Sequence, residues 1–160
     1  QRRELEHFHY YLCRQLKGGG MEINMSFNGE IIFDIADDEH IEVNFGARIL
    51  PTKVVKKGDV IALGRKAPKN RWMYEVKYDN EGEYLENLDK FIDQLYEKSE
   101  YINRLKKMYE EVSINIYICS DFSEIGFSLP KNILKKMSLI NCTINFEIFS
   151  YGMAMDDERM

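Results

Sequence analysis

The chain has 160 residues, of which 44% are hydrophobic and 31% are charged, and its formal net charge is -5. This length and apolar content support one folded domain with a substantial core. Because phosphate binding requires a basic face, the acidity, which lies in residues 21–160, argues against a nucleic-acid partner for that part of the chain.

The first predicted element is an amphipathic helix over residues 1–17. Its apolar side chains recur at spacings of three and four, which places them in one stripe on a helix about 25 Å long at 1.5 Å per residue. Gly18 supplies a helix stop. An isolated helix of this length is marginal in water, so the stripe predicts binding in a groove. The predicted anchor residues are Leu5, Phe8, Tyr11, Leu12 and Leu16.

Three glycines separate this helix from Met21 and a chain of different composition. We interpret residues 1–17 as a grafted helical peptide derived from a partner protein, 18–20 as a glycine linker, and 21–160 as a single recognition domain, the host. The alternative is a native amino-terminal helix that packs on its own domain or serves self-assembly. Three glycines span only about 10 Å, so the helix would dock near Met21 or on a neighbouring molecule, as in a domain-swapped homodimer.

Charge divides unevenly between peptide and host. Residues 1–17 carry four basic and two acidic side chains, a sum of +2, whereas residues 21–160 carry 18 basic and 25 acidic ones, a sum of -7. Opposite signs favour encounter between the two parts. The predicted charge contacts of the peptide are Arg2, Arg3 and Arg14, and acidic side chains of the host helices, such as Glu86 and Asp89, could meet them.

The host begins with a predicted hairpin. Ile23, Met25 and Phe27 alternate with polar residues, which is typical of a strand. Asn28-Gly29 follows as a strong turn signal, and residues 30–35 would form the returning strand.

The next segments are open to two interpretations each. Residues 41–45 alternate as a strand would, but Asp37 and Asp38 could instead cap a short helix through Phe45, with Gly46 as its stop. Residues 52–58 predict a polar turn or a single helical turn.

The remaining elements are clearer. Alternation predicts strands over residues 72–78, 114–118 and 144–148. Apolar spacings of three and four predict helices over 84–95 and 101–109, with Ser99 as a cap, and a short helix follows Pro130 through Met137. This order predicts an α+β fold with helices on one face of a mainly antiparallel sheet.

Several short motifs recur through residues 21–150. They are Ser26-Phe27-Asn28-Gly29, Asp37 to Ile41 leading to Phe45-Gly46, Pro51-Thr52-Lys53, Lys56-Lys57-Gly58-Asp59, Trp72, the paired helices near 84–111, and Gly126 to Pro130. With these motifs the chain resembles the bacterial and phage proteins grouped as domain of unknown function 4279. That resemblance implies a helix over 37–45. The family is similar in genomic habit to small immunity and antitoxin-like proteins, which implies protein binding and fixes no activity.

We therefore expect a non-enzymatic protein-binding domain, immunity-like or regulatory, that recognises an amphipathic basic helix of a partner protein. Interfaces are enriched in aromatic residues, and the chain has ten Tyr, nine Phe and one Trp. We expect no cofactor, since the turn at Lys56 lacks the glycine spacing of a phosphate loop. The binding candidates on the host are Trp72, Tyr74, Tyr78, Tyr96 and Tyr101.

A small metal-dependent enzyme is the competing hypothesis. Asp37-Asp38-Glu39-His40 places carboxylates beside an imidazole, although a helix start explains the same residues. His9 and Cys13 lie one helical turn apart, but two ligands do not make a metal site.

We expect a cytoplasmic location. No apolar run approaches the about 20 residues needed to span a bilayer, and no charged-then-apolar leader is present. Cys119 and Cys142 each flank an apolar strand, so we expect both to be reduced.

Overall fold

The structure, a computed structural model, describes residues 27–122 and 124–153, the last three without their side chains. The predicted helix over 1–17, the glycine linker, and Ile23 and Met25 lie outside the described residues. The elements are β1 (Phe27–Asp37), β2 (Lys53–Val55), a 3-10 turn (Ala62–Gly64), β3 (Asn70–Tyr78), α1 (Glu81–Tyr96), α2 (Ser99–Met108), β4 (Glu111–Phe122), α3 (Lys131–Ile140) and β5 (Thr143–Met153).

The described strands form one five-stranded sheet in the order β2-β3-β1-β4-β5. All neighbouring pairs are antiparallel except β4 and β5, which run parallel and are connected through α3. This arrangement confirms the predicted α+β fold with a mainly antiparallel sheet.

The main core lies between the sheet and the three helices. Alternate residues of the central strands, such as Ile31 and Ile116, pack against the buried stripes of the helices, such as Leu88 and Ile102. Burial of these apolar side chains stabilises the domain. The predicted packing of the helices on one face of the sheet is confirmed.

The helices begin and end with local signals. Asn80 caps α1 by accepting a hydrogen bond from the Glu83 amide at 2.9 Å. Pro130 occupies the cap position before α3, as expected from its sequence, and Asn141 ends that helix with a φ of 57°. The prediction of Ser99 as a cap is wrong, because Ser99 is already the first residue of α2 and Lys98 precedes it without a side-chain cap.

The predicted hairpin turn at Asn28-Gly29 is wrong, because both residues lie inside the continuous strand β1. Gly29 pairs with Tyr78 on one side and Ile118 on the other. A Cβ atom here would overlap the Tyr117 carbonyl and the Tyr78 hydroxyl. The glycine therefore permits a close approach of backbone and side chain inside the sheet, and not a turn.

Residues 38–50 form neither the predicted helix nor the alternative strand. The segment is instead held by hydroxyl groups of the helix layer. Tyr109 accepts from the Glu42 amide and donates to the Glu42 carbonyl, both at 3.0 Å, and Tyr101 accepts from the Asn44 amide at 3.1 Å. These distant tyrosines satisfy backbone groups that a helix would have paired internally.

The predicted turn over 52–58 is also wrong in part, since Lys53–Val55 forms the edge strand β2 along β3. The turn begins only at Lys56, where the Asp59 amide donates to the Lys56 carbonyl at 3.0 Å. Gly58 adopts a φ of +91° there, a conformation that favours glycine.

Candidate protein-binding face

The side chains of the sheet that point away from the helices define a second surface, which we call the outer sheet face. No helix of the described residues packs on it, and its apolar cluster is separate from the main core. Strand alternation and register place its members side by side: Glu30, Ile32 and Asp34 from β1, Lys53 and Val55 from β2, Arg71, Met73, Glu75 and Lys77 from β3, Ser113, Asn115, Tyr117 and Cys119 from β4, and Asn145, Glu147 and Phe149 from β5.

The centre of the outer sheet face is apolar. Ile32, Met73 and Tyr117 form a buried cluster, and Val55 and Phe149 pack against it. Burial raises the pKa of the Tyr117 hydroxyl. These side chains come from all five strands, so the cluster runs across the full width of the sheet.

A buried ion pair lies beside this apolar centre. The Arg71 guanidinium donates through Nε to Asp34 Oδ1 at 3.2 Å and through Nη2 to Asp34 Oδ2. Asp34 is 5% exposed. Such a two-point pairing fixes the geometry of both side chains and compensates a carboxylate that has been removed from water.

Glu30 lies at the other end of β1 and is 5% exposed. Burial raises the pKa of its carboxyl, repulsion from Glu75 adds to this effect, and Lys77 opposes it. The Lys77 ammonium stands 3.6 Å from Glu30 Oε1. The outer sheet face therefore holds two carboxylates, Glu30 and Glu75, close enough to repel each other.

Amide side chains continue the polar part of this face toward β5. Asn145 donates to the Asn115 side-chain oxygen at 2.8 Å. The Asn115 side-chain nitrogen in turn reaches the Ser113 hydroxyl at 3.4 Å. The face thus combines a continuous apolar strip with carboxylate and amide groups on either side, an arrangement that suits an amphipathic ligand.

The aromatic residues predicted as binding candidates lie on the other side of the sheet. Trp72 and Tyr78 are 5% and 1% exposed and belong to the main core. Tyr74 stacks on Phe91 and donates to Gln94 at 2.9 Å. Tyr78 packs against Tyr84 of α1, and Trp72 packs against Phe33 and Phe45, so these three side chains belong to the core and do not form a surface.

Tyr101 and Tyr96 differ from the other three candidates. Tyr101 packs against Phe45 and binds the Asn44 amide, so it supports the segment that precedes β2. Tyr96 is 40% exposed at the end of α1. The structure therefore does not bring the five aromatic candidates together, and a binding role for Tyr96 stays a prediction.

Three acidic residues of the helix layer form ion pairs inside the domain. Glu86 binds Lys90 at 2.7 Å, Asp93 binds Lys136, and Glu97 lies 3.7 Å from Arg48. These exposed pairs contribute little stability, but they leave α1 with less free negative charge than its sequence indicates.

The Asp37–His40 cluster supports the backbone. The Asp37 carboxylate accepts from the Glu39 amide at 2.7 Å and from the Glu110 amide at 2.8 Å. Asp38 pairs with Lys57 at 2.9 Å, and this hydrogen bond holds the pKa of Asp38 below its usual range. Within residues 27–122 and 124–153, no group of three or more His, Cys, Asp or Glu side chains could hold a metal ion.

The two cysteines of the host have different states. Cys142 is a free, half-buried thiol whose pKa burial raises to about 11. Cys119 is disulfide-bonded, so the prediction of a reduced thiol is wrong for this residue. Among the described residues, no helix is both long and apolar enough to cross a bilayer.

Sequence reasoning missed the outer sheet face, because attention to apolar alternation selected only the residues that point to the helices. The sequence of strand β1 nevertheless contained a signal of this face. Strand β1 contains two carboxylates, at Glu30 and Asp34, that flank an isoleucine of the same parity. Such residues on one face of a central strand indicate a surface with its own polar partners.

The family comparison agrees with this architecture. The family model described as a domain of unknown function, DUF4279, matches residues 30–151, which extend from β1 into β5. The chain belongs to the DUF4279 family. No curated protein and no solved structure matches it. The DUF4279 match begins at Glu30, so every described residue that we assign to the outer sheet face lies within the family domain.

Proposed function

We propose that this DUF4279 domain is a non-enzymatic protein-binding domain that recognises an amphipathic basic helix of a partner protein through the outer sheet face. The observation that carries the proposal is the composition of this face, with an apolar strip beside buried carboxylates. The domain would act in the manner of an immunity protein, an antitoxin or a regulatory inhibitor.

The burial of this face favours a helix-sized cover. Ile32, Glu30 and Tyr117 are only 4%, 5% and 6% exposed, although no described helix packs over them. Side chains on a solvent-facing sheet keep more exposure than this, since alternate faces of an open antiparallel sheet are hydrated. We infer that residues 1–17 act as the captured helix in this chain.

The dimensions suit that arrangement. A helix of residues 1–17 is about 25 Å long, and five strands spaced about 4.8 Å apart form a sheet about 19 Å wide. Residues 18–26 can reach up to about 30 Å when extended. They join the helix to Phe27, at the start of the central strand β1. The described helices already fill the helix side of the sheet, so the outer sheet face is the one left for residues 1–17.

The side chains of the predicted helix also match those of the outer sheet face. The predicted anchors Leu5, Phe8 and Leu12 would cover the Ile32, Met73 and Tyr117 cluster, because apolar stripes dock in apolar grooves. A basic side chain of the partner would approach Glu30 and Glu75 and relieve their repulsion. A partner whose helix is held in this way is prevented from using it elsewhere, which is how such a domain would neutralise or regulate its target.

The test uses the full chain with Leu5, Phe8 and Leu12 all changed to alanine, which weakens the attached helix. We expect calorimetric titration with a synthetic peptide of residues 1–17 to show micromolar or tighter binding to this variant. The unmodified chain should bind the same peptide at least tenfold more weakly, because its own helix competes.

A peptide with the same three alanine substitutions is the matched control and should not bind. Glu30→Lys in the variant should weaken binding, whereas Glu86→Lys on α1 should not. Absence of binding to a folded variant would refute the protein-binding proposal. If Glu30→Lys leaves the affinity for the peptide unchanged, the outer sheet face is not the binding site.

The metal-dependent enzyme has no specific observation in its favour, since Asp37 and Asp38 are engaged by backbone amides and by Lys57. A rise in the melting temperature on addition of calcium, magnesium, manganese or zinc would support that hypothesis.

A further inference from the structure

Strand β5 forms one edge of the sheet. It extends over 11 residues, Thr143–Met153, and pairs in parallel with β4 on one side only. Its other side presents a row of backbone amide and carbonyl groups to which no described strand pairs. An exposed edge of this length is a template for another strand.

The two edges of the sheet are protected very differently. The opposite edge, β2, has only three residues, begins with Lys53, and runs directly into the turn at Lys56. Short strands and lysines are the usual means of preventing edge pairing. Strand β5 has neither proline nor lysine, and its sequence TINFEIFSYGM is rich in strand-forming residues. Nothing in its composition prevents pairing.

Exposed apolar side chains accompany this edge. Ile148 is 48% exposed and lies on the helix side of β5, in register with Ile118. Leu134 of α3 is 47% exposed. The opposite side of α3 faces α1, because Lys136 binds Asp93. Leu134 is therefore turned away from the helix layer, toward the side of the domain where β5 lies.

We propose that two copies of this chain associate through β5, paired antiparallel about a two-fold axis, so that the two sheets continue into one of ten strands. Antiparallel pairing of identical edges satisfies the backbone groups of both copies with one self-complementary interface. Ile148 and Leu134 of each copy would pack against the other copy beside the paired strands.

Charge and area favour a second copy as the occupant. Glu147 is the one charged residue in β5, so two edges bring few like charges together although each chain carries a net charge of -5. An edge of 11 residues is about 35 Å long, and a strip about 15 Å deep covers the sheet and part of the helix layer. Pairing would then bury about 1,000 Å² in total, which is the lower limit for a specific interface.

The experiment measures the mass of the full chain by light scattering at about 100 μM. We expect a dimer for the unmodified chain, and a monomer for Ile148→Lys and for Leu134→Lys, because each places a charge in the interface. Met108→Lys is the matched control, since Met108 is an exposed apolar residue of α2. It should remain dimeric.

Circular dichroism identifies a lysine variant that loses its fold. In that case the mass of the other lysine variant tests the proposal. A monomeric unmodified chain, or a dimer that survives both lysine substitutions, would overturn the proposal. The variant with Leu5, Phe8 and Leu12 changed to alanine separates this dimer from a helix-swapped one. It should stay dimeric if β5 forms the interface, and dissociation of that variant would overturn the assignment to β5.

Discussion

The two faces of the sheet are built from neighbouring residues of the same strands, yet they are packed by different means. On the helix side, Ile31, Phe33 and Ile35 enter a continuous apolar core shared with three helices. On the outer sheet face, Ile32 lies between two carboxylates and contacts a small cluster. The helix-side face is buried by the helices of the domain. The outer sheet face combines apolar area with charge, a composition that suits a binding surface.

On our proposal, the strand β1 serves stability through one face and recognition through the other. A side chain in β1 changes face at every step, so the stabilising residues and the candidate binding residues are interleaved and not assigned to separate segments. Substitutions at adjacent positions should therefore have separable effects on stability and on binding.

The largest expected effect compares Ile31 with Ile32. Ile31→Ala should lower the free energy of unfolding by about 4 kcal/mol, because it leaves a cavity in the main core. Ile32→Ala should cost about 2 kcal/mol, since the smaller cluster on the outer sheet face can adjust. Urea denaturation of both variants measures the difference, and equal losses would show that the two faces are packed alike.

The ion pair gives the next effect. Arg71→Met should destabilise the protein by about 3 kcal/mol, because it leaves the buried Asp34 carboxylate without its guanidinium partner. The double variant Arg71→Met with Asp34→Leu should recover most of that loss in the same denaturation experiment. A double variant as unstable as Arg71→Met alone would contradict this account.

A smaller effect is expected at Gly29. Gly29→Ala should destabilise the protein by about 2 kcal/mol, because a methyl group there collides with the Tyr117 carbonyl and the Tyr78 hydroxyl. Gly126→Ala is the control, since no atom lies within 4 Å of the added carbon. Thermal unfolding of the two variants should differ clearly, and similar melting temperatures would show that the sheet yields at Gly29.

The smallest effect concerns Glu30. Its folded-state pKa is raised by burial and by Glu75, with Lys77 and Lys53 opposing, so the folded protein retains a proton that the unfolded chain has lost. Stability should therefore fall as pH rises from about 4.5 through the folded pKa. Glu30→Gln should remove this dependence and be more stable at neutral pH, by on the order of 1 kcal/mol.

Denaturation of Glu30→Gln and of the unmodified chain at pH 4 to 8 provides the measurement. The same variant should bind the peptide of residues 1–17 more weakly. A variant less stable than the unmodified chain at pH 7 would show that the Glu30 carboxylate stabilises the fold.

The sequence by itself predicted the strands and helices whose apolar period is long and regular. The spacing from Tyr84 to Leu95 allows only one buried helix face, and Ile114, Ile116 and Ile118 allow only one buried strand face. The α+β class and the mainly antiparallel sheet followed from these elements and their order, whereas the family resemblance rested on short motifs spread over residues 21–150.

Tertiary contacts decided the rest. Whether Asn28-Gly29 turns or continues depends on Tyr78 and on the carbonyl of Tyr117, which lie far away in the sequence. The backbone of residues 38–50 is held in place by hydrogen bonds to the hydroxyl groups of Tyr101 and Tyr109. The outer sheet face depends on strand order and register, because only these bring Glu30 beside Glu75 and Ile32 beside Tyr117. Local periodicity reports which side of an element is buried, whereas the neighbours that meet each side are set by the assembled sheet.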